Sequence, residues 1–197
     1  MDASLKTSIS ISECEPVNTS LKPGWVQILI NLIFFQAVWF ATVYGPGNGI
    51  HWLGLPALVV FAGYHFFSAV TARADFLLAA VAIIIGFFVE TAYLRFDVLI
   101  YAFNMPSTVF APYWILFLWA NFALTLNTGL RWLHGHYFMA AGLGFIGAPV
   151  AYFSGVKLGA ATTGMTPPFA YLAIAVSWAL VTPALIFLAR IVSRRSN

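Results

Sequence analysis

The sequence predicts an all-α fold, a polytopic membrane helix bundle of six transmembrane helices with both termini in the cytoplasm (N-in/C-in). Three observations predict it. Of the 197 residues, 61% are hydrophobic and only 8% are charged, which is too few charges to cover a soluble globule. Six apolar runs are long enough to cross the hydrocarbon core, which takes about 20 residues. The basic residues also concentrate on one side of these runs.

The apolar runs divide the chain into a short tail, a transmembrane domain and a basic end. Residues 1–24 form a predicted polar cytoplasmic N-terminal tail, residues 25–191 the transmembrane domain, and residues 192–197 a basic cytoplasmic C-terminus. The glycine-rich run 142–147 in the fifth span is expected to let helices approach closely. The predicted spans are residues 25–44, 52–71, 75–94, 112–130, 137–156 and 168–191.

The distribution of lysine and arginine sets the orientation. With the amino terminus inside, seven basic residues fall in cytoplasmic segments, whereas the outer loops hold only two. The seven are Lys6, Lys22, Arg73, Arg131, Arg190, Arg194 and Arg195, and the two are Arg95 and Lys157. Because lysine and arginine are enriched in cytoplasmic loops, this bias favours inside termini. Trp25 and Trp132 are then expected at the inner interface, and Trp52 and Trp114 at the outer one.

Residues 95–111 form the only long connection between spans. Its apolar stretch, residues 98–103, is too short to cross a bilayer, and Asp97, Asn104 and Pro106 make it amphipathic. We expect an interfacial helix or a re-entrant hairpin on the outer face. This segment is either a hydrophobic cover over the bundle or a lid over a lipid-facing site.

Several classes of function lack their sequence signatures. The chain contains no glycine-rich phosphate loop, no HExxH and no Gly-x-Ser-x-Gly. Its basic residues are scattered singly, without the basic face that nucleic-acid binding needs. One cysteine and four histidines are too few for a Cys-rich or multi-histidine metal site, and the pair His134 and His136 lacks a third ligand nearby. We therefore predict no metal, no cofactor and no nucleic-acid partner.

Four of the polar residues expected inside the bilayer, where such groups are costly, form a candidate site. Asn31, His65 and Asn127 share the cytoplasmic half, and Gln36 lies near the midplane. One interpretation is hydrogen bonding between helices, which small membrane bundles use for association. The other is a cytoplasm-facing polar pocket in which His65 titrates or orients a lipid headgroup.

Glu90 is the one carboxylate expected inside a span, because Asp75 is assigned to the short turn before the third span. It lies about one turn from the outer end of that span. The functional interpretation is a group that carries a proton or binds a cation. The alternative is a carboxylate near the interface that pairs with Arg95 and fixes the outer loop.

Several short motifs carry a resemblance to a known family. They are Asn31, Phe35-Gln36, Trp39-Phe40, Pro112-Tyr113-Trp114, Trp119, Thr125-Leu126-Asn127, Arg131-Trp132-Leu133, Gly147-Ala148-Pro149, Ala151-Tyr152 and Gly159-Ala160. With these motifs the chain resembles a family of uncharacterised Gram-negative inner-membrane proteins, a domain of unknown function with about six transmembrane helices. The resemblance covers residues 31–190. It implies a multi-pass protein of the bacterial inner (cytoplasmic) membrane, associated with lipid-modifying gene clusters, and no activity that carries over.

Three functions remain open on these residues. The first is an accessory or lipid-handling protein of unknown biochemical activity, which contacts membrane lipids and supports a lipid-modifying protein partner. The second is a small proton-coupled transporter that uses Glu90. The third is a membrane enzyme with a cytoplasm-facing polar site around His65. The sequence does not distinguish these functions, and it leaves the oligomeric state open.

Overall fold

The structure is a computed structural model that describes residues 23–69 and 71–195. Most of the predicted tail, and the last two residues of the predicted C-terminus, lie outside the described residues. The described chain is mainly helical, with six α-helices, one 3₁₀ turn and two short strands. They are α1 (Trp25–Gly47), α2 (Gly54–Ser68), α3 (Ala72–Arg95), β1 (Leu99–Tyr101), α4 (Tyr113–Ala123), the 3₁₀ turn (Arg131–Leu133), α5 (Tyr137–Lys157), β2 (Ala161–Thr163) and α6 (Pro167–Arg195).

Four of the helices, α1, α3, α5 and α6, are long and apolar enough to span a membrane. The all-α membrane-bundle class predicted from the sequence is confirmed. The other two helices are shorter, with 15 residues in α2 and 11 in α4. At about 1.5 Å per residue they measure about 22 and about 16 Å, against a hydrocarbon core of about 30 Å. The count of six spans and the inside termini therefore stay predictions.

The outside of the bundle is apolar. Phe138 is 96% exposed, and Phe67 and Leu180 are also largely exposed. The carboxylates of Asp75 and Glu90, by contrast, are fully buried. In water this arrangement would leave a large apolar surface hydrated and would cost free energy. The surface is therefore suited to lipid, as the composition predicts.

α4 ends at Ala123, although the apolar run predicts a span to residue 130. The residues that follow make turns, and their polar side chains bond to the backbone or to another helix. Thr125 Oγ1 donates to the carbonyl of Phe122 at 2.7 Å, and the Asn127 amide donates to Asp75 on α3. Threonine and asparagine side chains that bond in this way compete with helical hydrogen bonds. The fourth apolar run is therefore a short helix followed by turns.

Residues 95–111 form neither the interfacial helix nor the re-entrant hairpin expected from the sequence. β1, inside this segment, pairs antiparallel with β2 from the loop between α5 and α6, with Tyr101 opposite Ala161. Leu99 and Tyr101 are buried and Ile100 between them is exposed, so the side chains alternate as in a strand. The expectation was wrong because the strand depends on a partner far along the chain, which a local pattern does not reveal.

Trp114, which is predicted at the outer interface, has a side chain that packs in the core. Its side chain is buried, and its indole N–H donates to the carbonyl of Phe103 at 2.9 Å. The outer segment folds back over the start of α4 and covers this ring, whereas the depth of the ring in the bilayer stays a prediction. Trp25, Trp52 and Trp132 are each more than half exposed, which agrees with amphipathic rings at interfaces.

One glycine of the run 142–147 lets two helices approach closely. A Cβ at Gly144 would lie 2.2 Å from the carbonyl oxygen of Trp178 on α6. A Cβ at Gly142 would meet nothing within 4 Å, and one at Gly147 would meet only a side chain of its own helix at 3.9 Å. The packing role predicted for this run therefore belongs to Gly144.

Gly144→Ala is expected to lower the free energy of unfolding by about 2–3 kcal/mol, because the new methyl group overlaps a backbone carbonyl. Gly142→Ala, on the same helix, is the matched control. It should be neutral or raise stability by up to about 1 kcal/mol, because alanine favours a helix over glycine. Unfolding by increasing SDS in mixed micelles measures both variants. Equal stability of the two would contradict the close contact between α5 and α6.

Candidate functional site

A cavity of about 760 Å³ lies inside the helix bundle. Most of its lining residues belong to α1, α4 and α5, and the others come from α3, α6, the paired strands and the turns. The volume falls in the range of about 300–1,000 Å³ that small-molecule sites occupy. The lining is mainly aliphatic and aromatic, and its tryptophans and tyrosines are Trp39, Tyr101, Trp114, Trp119, Tyr152 and Trp178.

The cavity reaches the surface between α1 and α5. The chain approaches closely at one end of these helices, where a Cβ on Gly47 of α1 would lie 2.7 Å from the carbonyl oxygen of Leu158, the residue that follows α5. Further along, large apolar residues line the cavity and are also exposed: Phe40 is 52% exposed, Val150 59% and Phe153 48%. The cavity therefore opens onto the apolar outside of the bundle.

Glu90 of α3 lines this cavity, and its side chain is fully buried. Its Oε1 accepts a hydrogen bond from the indole N–H of Trp119 at 2.8 Å and another from the Tyr152 hydroxyl. Its Oε2 accepts one from the Tyr101 hydroxyl at 2.5 Å. β1, α4 and α5 therefore each direct one donor to the same carboxylate, and together these donors hold the carboxylate in place.

Glu90 forms no salt bridge with any lysine, arginine or histidine that the structure describes. The salt bridge that is present joins His65 and Asp75, and the Arg95 side chain is exposed. The interpretation in which Glu90 pairs with Arg95 is therefore wrong. Ionisable residues inside membrane helices are costly and commonly functional. A role for Glu90 in binding a proton or a cation stays a prediction.

Aromatic rings from three helices surround the Glu90 carboxylate. Trp119 stacks on Trp178 with ring centroids 4.8 Å apart, and Tyr152 meets Trp178 edge-on at 6.4 Å. A Cβ on Gly86 would lie 2.3 Å from the Trp119 ring, so α3 needs a glycine there for the indole to lie against it. This cluster was not predicted from the sequence. The sequence signal that could have indicated it is Gly86, which lies one helical turn before Glu90, the only carboxylate assigned to a span.

Polar side chains other than Glu90 also line the cavity, among them Thr182 and Gln36. Thr182 of α6 is buried, and its Oγ1 has no hydrogen-bond partner among the described residues. Gln36 of α1 lines the cavity with an exposed side chain, so one of the four predicted polar residues belongs to this site. An unpaired polar group in a bilayer costs free energy. These groups therefore favour a bound molecule with polar atoms of its own.

Asp75 is a second buried carboxylate, so the prediction that Glu90 is the only one inside a span is wrong. Asp75 lies in the first turn of α3 and is fully buried. It accepts hydrogen bonds from Nε2 of His65 at 2.7 Å, Oγ1 of Thr71 at 2.9 Å and the Asn127 amide at 2.5 Å. The available signal was an acidic residue at a helix start, where the helix dipole favours negative charge.

The predicted group of Asn31, Gln36, His65 and Asn127 is therefore not a single pocket. His65 and Asn127 meet at Asp75, whereas Asn31 donates to a backbone carbonyl in the turns after α4 at 3.2 Å. His65, Asn127 and Asp75 are all buried, and none of them lines the cavity. This geometry favours the interpretation of hydrogen bonding between helices.

His134 and His136, near the start of α5, belong to no metal-binding group among the described residues. Within the described ranges, no group of three or more histidine, cysteine, aspartate or glutamate side chains is placed to hold a metal ion. Nε2 of His134 bonds to the carbonyl oxygen of Leu126 at 3.1 Å, and burial lowers the pKa of this imidazole. His134 therefore stabilises the turns between α4 and α5.

A family model described as "Protein of unknown function (DUF2878)" matches residues 28–184, well over half of the chain. The matched region contains Glu90, the lining of the cavity and the Asp75 group. No curated protein and no solved structure matches the chain.

Proposed function

The chain belongs to the DUF2878 family of proteins of unknown function, and from its geometry we propose that it is a lipid-handling membrane protein. It binds the apolar part of a membrane lipid or a similar amphiphile in the cavity between α1 and α5. The observation that carries this proposal is the opening of the cavity, where exposed side chains such as Phe40 and Phe153 also line the interior. Such an opening admits a molecule dissolved in the bilayer.

The composition of the cavity supports a lipid chain as its occupant. Apolar pockets with a few placed polar groups are typical of ligand sites, because the apolar lining gives contact area and the polar groups fix orientation. Here Gln36, Glu90 and Thr182 lie on α1, α3 and α6, so polar contacts come from three sides. The remaining lining gains dispersion contacts with a chain that fills the space.

The paired strands β1 and β2 act as a lid over this site. Tyr101 of β1 lines the cavity and donates its hydroxyl proton to Glu90. The outer segment is thereby connected to the carboxylate, and its position responds to what binds there. This connection favours the lid interpretation of residues 95–111 over a passive cover.

A proton-coupled carrier is the second candidate, and one observation favours it: Glu90 is fully buried without a cationic partner among the described residues. Glu90→Gln removes the group that would carry the proton. In reconstituted vesicles, a carrier should show proton flux that this substitution abolishes. A protein that only binds lipid should show no flux with either side chain.

An enzyme centred on His65 is the least supported function. A catalytic base must lie within hydrogen-bond reach of the proton that it removes. His65 is buried, its Nε2 is already bonded to Asp75, and it does not line the cavity. A His65→Ala variant that folds and inserts but loses a measured activity would restore this candidate.

We propose that the protein resides in the inner (cytoplasmic) membrane of a bacterium and has a lipid-modifying protein as its partner. The bias of basic residues and the family resemblance support the location, and the same resemblance suggests the partner. Separation of inner and outer membranes on a density gradient tests the location. Co-purification with a lipid-modifying enzyme after chemical crosslinking tests the partner.

Gly147→Phe tests lipid binding directly, because Gly147 lines the cavity and has space for a side chain. The phenyl ring is expected to occupy the volume that the lipid chain uses. Gly142→Phe is the matched control, since Gly142 lies on the same helix, is exposed, and would place a Cβ with no neighbour within 4 Å. The measurement is mass spectrometry of the lipids that co-purify in mild detergent.

The wild-type protein and Gly142→Phe should both retain an enriched lipid or acyl species. Gly147→Phe should retain about tenfold less of it, because filling the cavity removes the favourable contacts of the chain. Bulk phospholipid at bulk proportions in all three proteins would contradict the proposal. The same result would make the proton-flux assay on Glu90→Gln the decisive one.

A further inference from the structure

We infer that the cavity selects amphiphiles whose head carries an ammonium group, which binds at Glu90 among the aromatic rings. This inference rests on the proposed lipid-handling function and names the class of its ligand. Three features of the described residues carry it: an unbalanced carboxylate, the aromatic faces around it, and acceptor atoms along the walls.

The Glu90 carboxylate is not balanced by a basic side chain. Its three hydrogen bonds, from Tyr101, Trp119 and Tyr152, all come from neutral groups. An ionised carboxylate has about four acceptor positions, so about one remains for a ligand. Lys157 is the only basic residue that lines the cavity in the described chain, and it is exposed at the end of α5. A cation therefore gains a strong attraction in this medium of low dielectric constant.

Aromatic faces line the cavity beside this carboxylate. Trp39, Trp114, Trp119 and Trp178 all belong to the lining. Trp119 both stacks on Trp178 and donates to Glu90, so the two indole rings lie beside the carboxylate. The face of an indole ring attracts a cation, and more strongly where water is excluded. Rings of this kind form the cages that bind alkylammonium groups in proteins.

The other polar groups of the lining include several acceptors, beside donors such as the indole N–H of Trp178, which has no partner among the described residues. Tyr152 gives its hydroxyl proton to Glu90, so its oxygen can only accept a further bond. Thr182 is 1% exposed and lines the cavity, and its Oγ1 has no partner among the described residues. Gln36 also lines the cavity, where its amide oxygen can accept.

The chemistry of the head group follows from this set of atoms. A primary ammonium supplies three donors and a positive charge, which match several acceptors and one carboxylate. A hydroxyl supplies one donor and no charge. A carboxylate or phosphate head supplies no donor when ionised and is repelled by Glu90. The expected order of affinity is therefore ammonium, hydroxyl, carboxylate.

Three probes with the same chain test this order: decylamine, 1-decanol and decanoate. The full-length protein is placed in nanodiscs of zwitterionic lipid, and binding is followed by tryptophan emission, since four of the seven tryptophans line the cavity. The wild-type protein should bind decylamine about tenfold more tightly than decanol, and decanoate most weakly. Glu90→Gln should reduce this preference to about twofold. Partition into the nanodisc is the same for every variant, so differences between variants report on the site.

Two further variants keep the test decisive. Tyr152→Phe retains the carboxylate and should retain the preference for decylamine, so it is the control for Glu90→Gln. If Glu90→Gln fails to fold, the order of the three probes on the wild-type protein still tests the inference. Gly147→Phe fills the cavity and should weaken all three probes. If decanol or decanoate binds the wild-type protein as tightly as decylamine, or if Glu90→Gln keeps the preference, the ammonium inference is overturned while lipid handling stands. If Gly147→Phe leaves every affinity unchanged, lipid handling itself fails.

Discussion

Glu90→Leu is expected to lower the free energy of unfolding by about 3–6 kcal/mol. The substitution removes the acceptor of the Trp119 indole N–H and of the Tyr101 and Tyr152 hydroxyls. Each polar group left in the interior without its partner costs about 1–3 kcal/mol, because it has no water to bond instead. Unfolding in mixed micelles with increasing SDS, followed by tryptophan emission, measures this loss.

Asp97→Asn is the control for this substitution. Asp97 is an exposed carboxylate with a φ of 54°, a conformation that asparagine also adopts readily. Its replacement should change stability by less than about 0.5 kcal/mol. If Glu90→Leu unfolded at the same SDS fraction as Asp97→Asn, the three donors would not depend on the carboxylate. Glu90 would then not be the residue that holds these three side chains in position.

Asp75→Ala is expected to lower the free energy of unfolding by about 3–5 kcal/mol, the second large effect. It removes the partner of His65 in a buried salt bridge and the acceptor of Thr71 and Asn127. The start of α3 then loses its links to α2 and to the turns after α4. The same SDS titration measures the change.

Arg73→Ala provides the comparison for Asp75→Ala, because Arg73 lies in the same helical turn with an exposed side chain. We expect it to change stability by less than about 0.5 kcal/mol. Losses of equal size in the two variants would mean that any substitution at the start of α3 is harmful. The buried hydrogen bonds of Asp75 would then have no special role.

The long helices could be predicted from the sequence because lipid selects apolar runs of sufficient length. α1 begins at Trp25 and α5 at Tyr137, as predicted. The end of α4 could not be predicted in this way. Hydropathy alone carries the fourth run to residue 130, but the bonds of Thr125 and Asn127 replace helical ones after Ala123.

The candidate site could be predicted only in part. Counting residues along a helix gives the depth of a side chain but not the direction in which it faces. Asn31 and His65 therefore had similar predicted depths, yet they bond to different elements. Glu90 was identified because a carboxylate in a span is rare. Its donors come from three separate elements, and no local pattern joins Tyr101 on a strand to Tyr152 on α5.

The most direct test of lipid binding between α1 and α5 is photocrosslinking with a phospholipid that carries a diazirine in its acyl chain. Protein in nanodiscs is irradiated, and mass spectrometry maps the adducts. Adducts are expected on cavity residues such as Gln36 and Ala151, and they should fall about tenfold in Gly147→Phe, while adducts on the outward-facing Leu180 stay unchanged. Labelling confined to the outer surface, or cavity adducts that Gly147→Phe does not reduce, would contradict lipid binding in this cavity.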